Sequence, residues 1–179
     1  MKFINSLLIC ICLGLVATSG AALERKSHEA KLSFEVSPVK SVFEAGETVE
    51  ADFVLRNVGD TNVIVARTLR LTASIKLEIQ DAQEQPAKWC GRIAEWTDSS
   101  RSYVNLAPGQ SVHAKLAISC VDKENKSRSW GYSLNKPGKY VLKATYRLPR
   151  PKEYYKKLFP AADVVQGPIS AQPVTLELR

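Results

Sequence analysis

The stretch Pro137–Tyr146, PGKYVLKATY, sets a Pro-Gly turn ahead of a strict alternation. Tyr140, Leu142, Ala144 and Tyr146 fall on one side, and Lys139, Val141, Lys143, Thr145 and Arg147 on the other. Successive side chains of a strand point to opposite faces, so this is the period of a strand with one face in a core and one in water. The same period recurs upstream. Leu32, Phe34 and Val36 alternate with Lys31, Ser33 and Glu35 up to Pro38, and Val49, Ala51, Phe53 and Leu55 alternate with Glu50, Asp52, Val54 and Arg56. Ile75, Leu77 and Ile79 are set against Lys76, Glu78 and Gln80. Val112, Ala114, Leu116, Ile118 and Cys120 share a face opposite His113, Lys115, Ala117 and Ser119, a register that points Cys120 inward. Asn62–Ala66 is more continuously apolar, Tyr103–Leu106 reads as a brief strand, and Val174, Leu176 and Leu178 alternate to the end of the chain.

Between these runs lie turn clusters rich in Gly, Pro, Asn and Asp, at a spacing of roughly ten residues. From Ala87 to Arg101 the pattern is lost, which predicts a crossing segment held by aromatics, with room for a short helix. Seven to eight short strands and no long amphipathic helix predict an all-β fold: an antiparallel two-sheet sandwich over residues 32–179. A closed barrel is the alternative, since alternation does not count sheets.

The order of four turns carries a resemblance. A Gly-Glu turn at Gly46-Glu47, Asn-x-Gly-Asp at Asn57–Asp60, Leu-x-Pro-Gly-x-Ser at Leu106–Ser111 and Pro-Gly-x-Tyr-x-Leu-x-Ala at Pro137–Ala144 resemble exported bacterial domains of immunoglobulin-like or fibronectin type III-like kind. The resemblance covers residues 32–179 and implies an immunoglobulin-like sandwich. Its motifs are structural punctuation, and they imply no activity. Two features depart from it: the long basic segment before the last strands, and the position of Cys90 in an unpatterned segment, where antibody-like domains join their sheets beside a Trp.

Residues 1–22 open on Met1 and Lys2, run apolar from Phe3 to Ala17 and close on small residues, the build of a secretory signal peptide. A retained anchor is the competing reading. Residues 23–31 are charged and patternless, a flexible lead-in. The expected location is therefore outside the cytoplasm, periplasmic or secreted, with no transmembrane span in the mature chain. Cys10 and Cys12 leave with the leader, and Cys90 and Cys120 remain as an even pair, the arithmetic of one disulfide. Closing a loop of about thirty residues would stabilise the fold by roughly 3–4 kcal/mol on the loop-entropy argument.

The leader removes one cation, Lys2, from a chain with 25 Lys and Arg against 18 Asp and Glu, leaving a mature charge of +6. The excess is concentrated: Asp122–Lys157 holds eleven basic and three acidic residues, so the rest is slightly acidic. Catalytic inventory is thin. His28 sits in the lead-in and His113 on a strand's exposed face, neither in a known catalytic or metal-binding pattern, and no Gly-rich phosphate loop occurs. The expectation is a non-enzymatic binding module without cofactor or metal. The alternatives are a protease inhibitor presenting a loop from a sandwich, and an enzyme whose site is assembled in space.

The candidate surface is the segment after Tyr146, in which Arg147, Arg150, Lys152, Lys156 and Lys157 are interleaved with Tyr154, Tyr155 and Phe159. Pro149 and Pro151 hold its first half extended, and Glu153–Phe159 suits about two helical turns, with Glu153 beside Lys157 and Tyr154 beside Leu158. Cations next to flat aromatics suit an acidic protein patch, an anionic polysaccharide or a lipid headgroup. Nucleic acid does not fit an exported protein. The competing reading folds Tyr154, Leu158 and Phe159 back as a cap, with the lysines serving solubility. Trp89, Trp96 and Trp130 likewise admit two readings, a sugar-stacking platform with Tyr103 or Tyr132, or packing.

Overall fold

Alternation becomes a pair of sheets whose inner faces meet. The computed structural model describes residues 31–90, 99–120 and 130–179; the predicted leader, nearly all of the lead-in, Trp96 and the polar loop Val121–Ser129 lie outside them. In chain order the strands are β1 (Leu32–Pro38), β2 (Val42–Phe43), β3 (Glu50–Asn57), β4 (Val63–Ala66), β5 (Ile75–Asp81), β6 (Trp89–Cys90), β7 (Tyr103–Leu106), β8 (Ser111–Ala117), β9 (Gly131–Tyr132), β10 (Gly138–Tyr146), β11 (Ile169–Ser170) and β12 (Val174–Leu178), with one helix, α1 (Lys152–Leu158). Eight of the described strands have four or more residues, and the other four are two-residue pairings.

One sheet is antiparallel in the order β1-β3-β8. In the other, β10 is central. Along Tyr140–Tyr146 it pairs antiparallel with β5; its opposite side takes β12 at Gly138–Leu142 and β11 at Thr145–Tyr146, and β2 adds parallel to β12. The opening alternation therefore belongs to a strand with neighbours on both edges. β4 and β7 form one further ribbon and β6 and β9 another, and the sheets stay separate rather than closing into a barrel. The fold is an all-β, antiparallel two-sheet sandwich.

The inward residues of β1 and β3, Phe34, Val36, Phe53 and Leu55, are buried against Ile75, Ile79, Leu142, Tyr146 and Leu176 of the facing sheet. Phe34 joins the layers: its ring stacks 6.3 Å from Phe53 and lies tilted 6.0 Å from Tyr146. Burying one such side chain contributes about 1.5–3 kcal/mol. β4 is buried along its whole length. Val63, Val65 and Ala66 enter this main core while Ile64 points into a second, smaller one. Burial on both faces is why the strand is apolar without alternation.

Two expectations change. The alternation of β8 stops at Ala117, and Ser119, expected outward, is buried with its hydroxyl accepting the Val49 N–H at 2.8 Å. Cys120, expected to point inward, is half-buried. It is joined to Cys90 as a disulfide. Cys120 N–H donates to Tyr132 O, and Cys90 pairs with Gly131, so the bridge joins the crossing segment to the residues just beyond β8, with β9 hydrogen-bonded to both. Gly131 is required here: its φ is +137°, and a Cβ would lie 2.7 Å from the Ser119 carbonyl. The described helical content of the crossing segment is a single 3-10 turn, Ser100–Ser102. No helix among the described residues is long and apolar enough to cross a membrane.

Candidate functional site

The basic segment leaves β10 at Arg147 and makes an excursion that returns to the sheet at Ile169. Pro151, at φ −67° and ψ 160°, is extended and stops the chain short of the helix. α1 follows, seven residues long, too short to persist alone. Tertiary packing holds it, and the residue that provides most of it is Tyr155, fully buried on the inner side of the helix. Its ring meets Tyr103 of β7 edge-on at 4.9 Å, and Tyr154 packs edge-on 5.4 Å from Tyr155 and 6.4 Å from Tyr103. With Ile64, Ala162 and Val164 these residues form the second core, and Phe159 lies partly buried against it.

A phenol can be buried at low cost only if its hydroxyl is paired. The Tyr155 hydroxyl accepts the Arg150 N–H at 2.9 Å and donates to the Tyr103 hydroxyl at 3.4 Å. The chain beyond the helix is pinned as well. Ile64 N–H donates to Asp163 O at 2.9 Å and Asp163 N–H to Asn62 O at 2.8 Å, so the returning segment runs along β4. Below it, the Tyr146 hydroxyl accepts the Ala66 N–H at 2.9 Å. Burial pushes the Tyr146 phenol far above its ordinary pKa, the Ala66 hydrogen bond opposes this, and Tyr155 adds to the rise.

The predicted site residues thus separate into three groups. Arg147, Arg150, Lys152 and Lys157 are exposed. Lys156 is half-buried and turned inward: its ammonium donates to Ala162 O at 2.8 Å and lies 3.7 Å from the Asp163 carboxylate. Tyr155 is in the core and Tyr154 half in it, so neither presents a free ring to a partner. Leu158, expected beside Tyr154, is 37% exposed. Of the three residues expected to fold back as a cap, Tyr154 and Phe159 pack against the second core and Leu158 does not, and the ring buried most deeply there is Tyr155.

Beside the helix the excursion encloses a cleft of ≈ 360 Å³. One wall is Arg147, Leu148, Arg150 and Pro151; the other is Val164, Val165, Gln166 and Pro168. Sequence reasoning did not find the second wall, whose only signal is an apolar pair before the Gln-Gly-Pro turn. Of the three tryptophans read as a platform with Tyr103 or Tyr132, Trp89 and Trp130 belong to the described residues and Trp96 lies outside them. Trp89 meets Tyr132 edge-on at 5.1 Å, Tyr103 belongs to the helix seat, and Trp130 is 44% exposed. His113 is exposed, its Nε2 2.7 Å from the Ser111 hydroxyl. Among the described residues no three of His, Cys, Asp or Glu gather as a metal site would require.

No family model matches the chain, and no curated protein matches it. Solved structures similar to it include the CARDB domain of a Pyrococcus furiosus protein, in complex with di-metal ions, at 14% identity and TM-score 0.40, covering 84% of this chain and 94% of that one. A β-glucosidase from Listeria innocua, in complex with isofagomine, is similar at 10% identity and TM-score 0.41, covering 83% of this chain but 16% of the enzyme. A β-glucosidase from Erythrobacter marinus is similar at 15% identity and TM-score 0.39, covering 84% of this chain and 16% of the enzyme. At these identities and scores the likeness carries no inference about ligand or activity.

Proposed function

We propose that this protein is an exported, non-enzymatic binding module whose helix-bearing excursion, residues 147–168, meets an anionic or acidic partner in the cell envelope. Tyr155 carries this reading. By burying its ring on Tyr103 and pairing its hydroxyl with Arg150 N–H, it fixes a short helix that would otherwise fray, and so fixes the exposed Lys152 and Lys157 and the flanking arginines on a rigid support. The leader-like N-terminus and the concentration of charge between Asp122 and Lys157 support the same reading.

The test leaves Lys156 intact, since it holds Ala162 and Asp163. Lys152→Ser/Lys157→Ser should retain the fold by circular dichroism and bind envelope fractions more weakly than the parent at low salt. The difference should narrow as salt rises, because exposed charges are screened beyond about 8 Å at physiological ionic strength. Identical, salt-insensitive binding by parent and variant would remove the proposal.

A further inference from the structure

β7 and β8 are consecutive strands joined by a turn in which Gln110 N–H donates to Ala107 O, yet they do not pair with each other. Asn57 keeps them apart. Its buried side-chain amide donates to Leu106 O at 2.8 Å, its backbone carbonyl accepts the Gly109 N–H and its backbone N–H donates to Gln110 O, so the turn is tied to β3 instead of zipping into a hairpin. An open cleft of ≈ 490 Å³ lies between the two strands, with Val104 and Leu106 on one side and Ser111 and Val112 on the other. The edge of β7 is engaged at Tyr103, whose carbonyl accepts from the Arg67 guanidinium at 3.2 Å.

Register fixes which groups β8 presents to this cleft. At the two ends of its pairing with β3, Asn57 N–H donates to Gln110 O and Ile118 N–H to Val49 O, so the even-numbered residues of β8 direct their main-chain groups toward β3. Alternate residues of an antiparallel strand face away from that neighbour. Ser111, His113, Lys115 and Ala117 therefore present N–H and C=O at the edge, and among the described residues no main-chain group meets them. The apolar side of β8 is also incompletely covered. Ala51, Phe53 and Leu55 of β3 are fully buried, whereas Val112, Ala114 and Leu116, packed against the same core, are half-buried. β1, at the other end of this sheet, differs: Leu32, Phe34 and Val36 are buried and the strand ends on Pro38, so it offers no comparable apolar margin.

A strand edge beside a half-covered apolar margin is matched by one more strand, whose main chain pairs with the edge and whose side chains cover the margin. A second copy of this chain is the poorer occupant. On its solvent face β8 carries only Ser111, His113, Lys115 and Ala117, so two copies paired edge to edge with their apolar sides together put no carboxylate beside Lys115 in any register. Within the sheet Lys115 stands opposite Asp52, and an acidic residue on its other side would extend that cross-strand pairing of opposite charges.

We propose that the outer edge of β8 receives an extended segment of a partner protein, whose apolar side chains cover Val112, Ala114 and Leu116 and whose alternate side chains include a carboxylate beside Lys115. β8 has seven residues, a length of roughly 23 Å, which a segment of about seven residues matches. This surface is separate from residues 147–168 and stands or falls independently of them.

The experiment is amide hydrogen exchange, followed by NMR on the labelled protein with three probe peptides: acetyl-Thr-Val-Glu-Val-Glu-Val-Thr-amide, its counterpart with lysine for both glutamates, and the glutamate peptide with its three central nitrogens methylated. In the protein alone, His113, Lys115 and Ala117 should exchange faster than Ala114 and Leu116, whose N–H groups face β3. At saturation the glutamate peptide should slow the first three about tenfold or more. The lysine peptide should bind about fivefold more weakly, and the methylated peptide should give no protection. Lys115→Glu should invert the preference between the two charged peptides. His113→Pro removes an N–H that β3 does not use and should abolish protection, so a folding defect in one variant does not decide the outcome. Lys152→Ser/Lys157→Ser should show the parent's protection, and its loss there would assign the peptide to the helix surface and overturn the proposal. Absence of protection, equal protection by the methylated peptide, or equal affinity for glutamate and lysine peptides also overturns it. Protection of the same amides on concentrating the protein without peptide overturns it in favour of a second copy.

Discussion

The sandwich interior and the small core beneath α1 are built on different rules. Between the sheets, Phe34, Phe53, Leu55, Ile79, Leu142 and Leu176 meet with no polar atom on any of their side chains. Beneath the helix, Tyr103 and Tyr155 meet with two hydroxyls to satisfy, and one of those hydroxyls holds the backbone of Arg150. The first core is insensitive to small changes in orientation, because dispersion and burial are not directional. The second depends on hydrogen-bond geometry. One core therefore specifies the fold, and the other the shape of a surface laid over it.

Substitutions that empty each core should expose this contrast most sharply. Phe53→Ala removes a fully buried ring from the middle of β3 and should cost about 3–5 kcal/mol. Its urea midpoint should fall with every spectroscopic probe moving together. Tyr155→Ala should cost less globally, about 2–4 kcal/mol, since its cavity opens beneath a peripheral helix that can shift to fill it. Hydrogen exchange provides the discriminating readout: amides of Lys152–Phe159 should lose protection while those of β10 keep theirs. If β10 and α1 lose protection together, the two cores are one cooperative unit.

What could be read from sequence follows the same division. β1, β3, β5, β10 and β12 were legible because each buries one face, so that its chemistry repeats every two residues. β4 was legible only as an apolar run, since the main core takes Val63, Val65 and Ala66 and the helix seat takes Ile64. The seat itself left no local signal. Tyr103 and Tyr155 are 52 residues apart, and a Tyr-Tyr pair set among lysines reads as surface. Ser119 was misplaced for a related reason: β8 ends before it, and the Val49 N–H that its hydroxyl satisfies is 70 residues away. Periodicity reports how a segment faces its own sheet, and is silent on partners brought in by topology.

Tyr146 links the two regions, and its hydroxyl isolates one polar contact within the apolar core. Tyr146→Phe keeps the ring against Phe34 and strands the Ala66 N–H, a loss of about 1–3 kcal/mol. The same phenol makes stability depend on pH in a defined direction. Its pKa is raised on folding, so the folded chain holds this proton more tightly than the unfolded one. The contribution is complete below the unfolded value of about 10 and is lost progressively as pH rises above it. Urea midpoints should therefore fall between pH 9 and pH 11, and fall less in Tyr146→Phe than in the parent. An equal fall in both would assign the alkaline sensitivity to other groups.

The smallest effect belongs at the rim of the helix seat, where Lys156 reaches the Ala162 carbonyl and the Asp163 carboxylate. Both partners of the ion pair are more than a third exposed, so the charge contribution is screened and should amount to about 0–1 kcal/mol. Lys156→Met keeps an apolar stem of similar length and removes both polar contacts. A stability loss below about 1 kcal/mol, smaller still in high salt, would place the energy of the seat in the tyrosines. Binding to envelope fractions should hardly change, in contrast to Lys152→Ser/Lys157→Ser, because Lys156 is committed to the chain's own carbonyl. If Lys156→Met instead abolished that binding while leaving stability intact, the ammonium would have to leave Ala162 to meet the partner, and the excursion would be a surface that rearranges on contact rather than one held ready by its core.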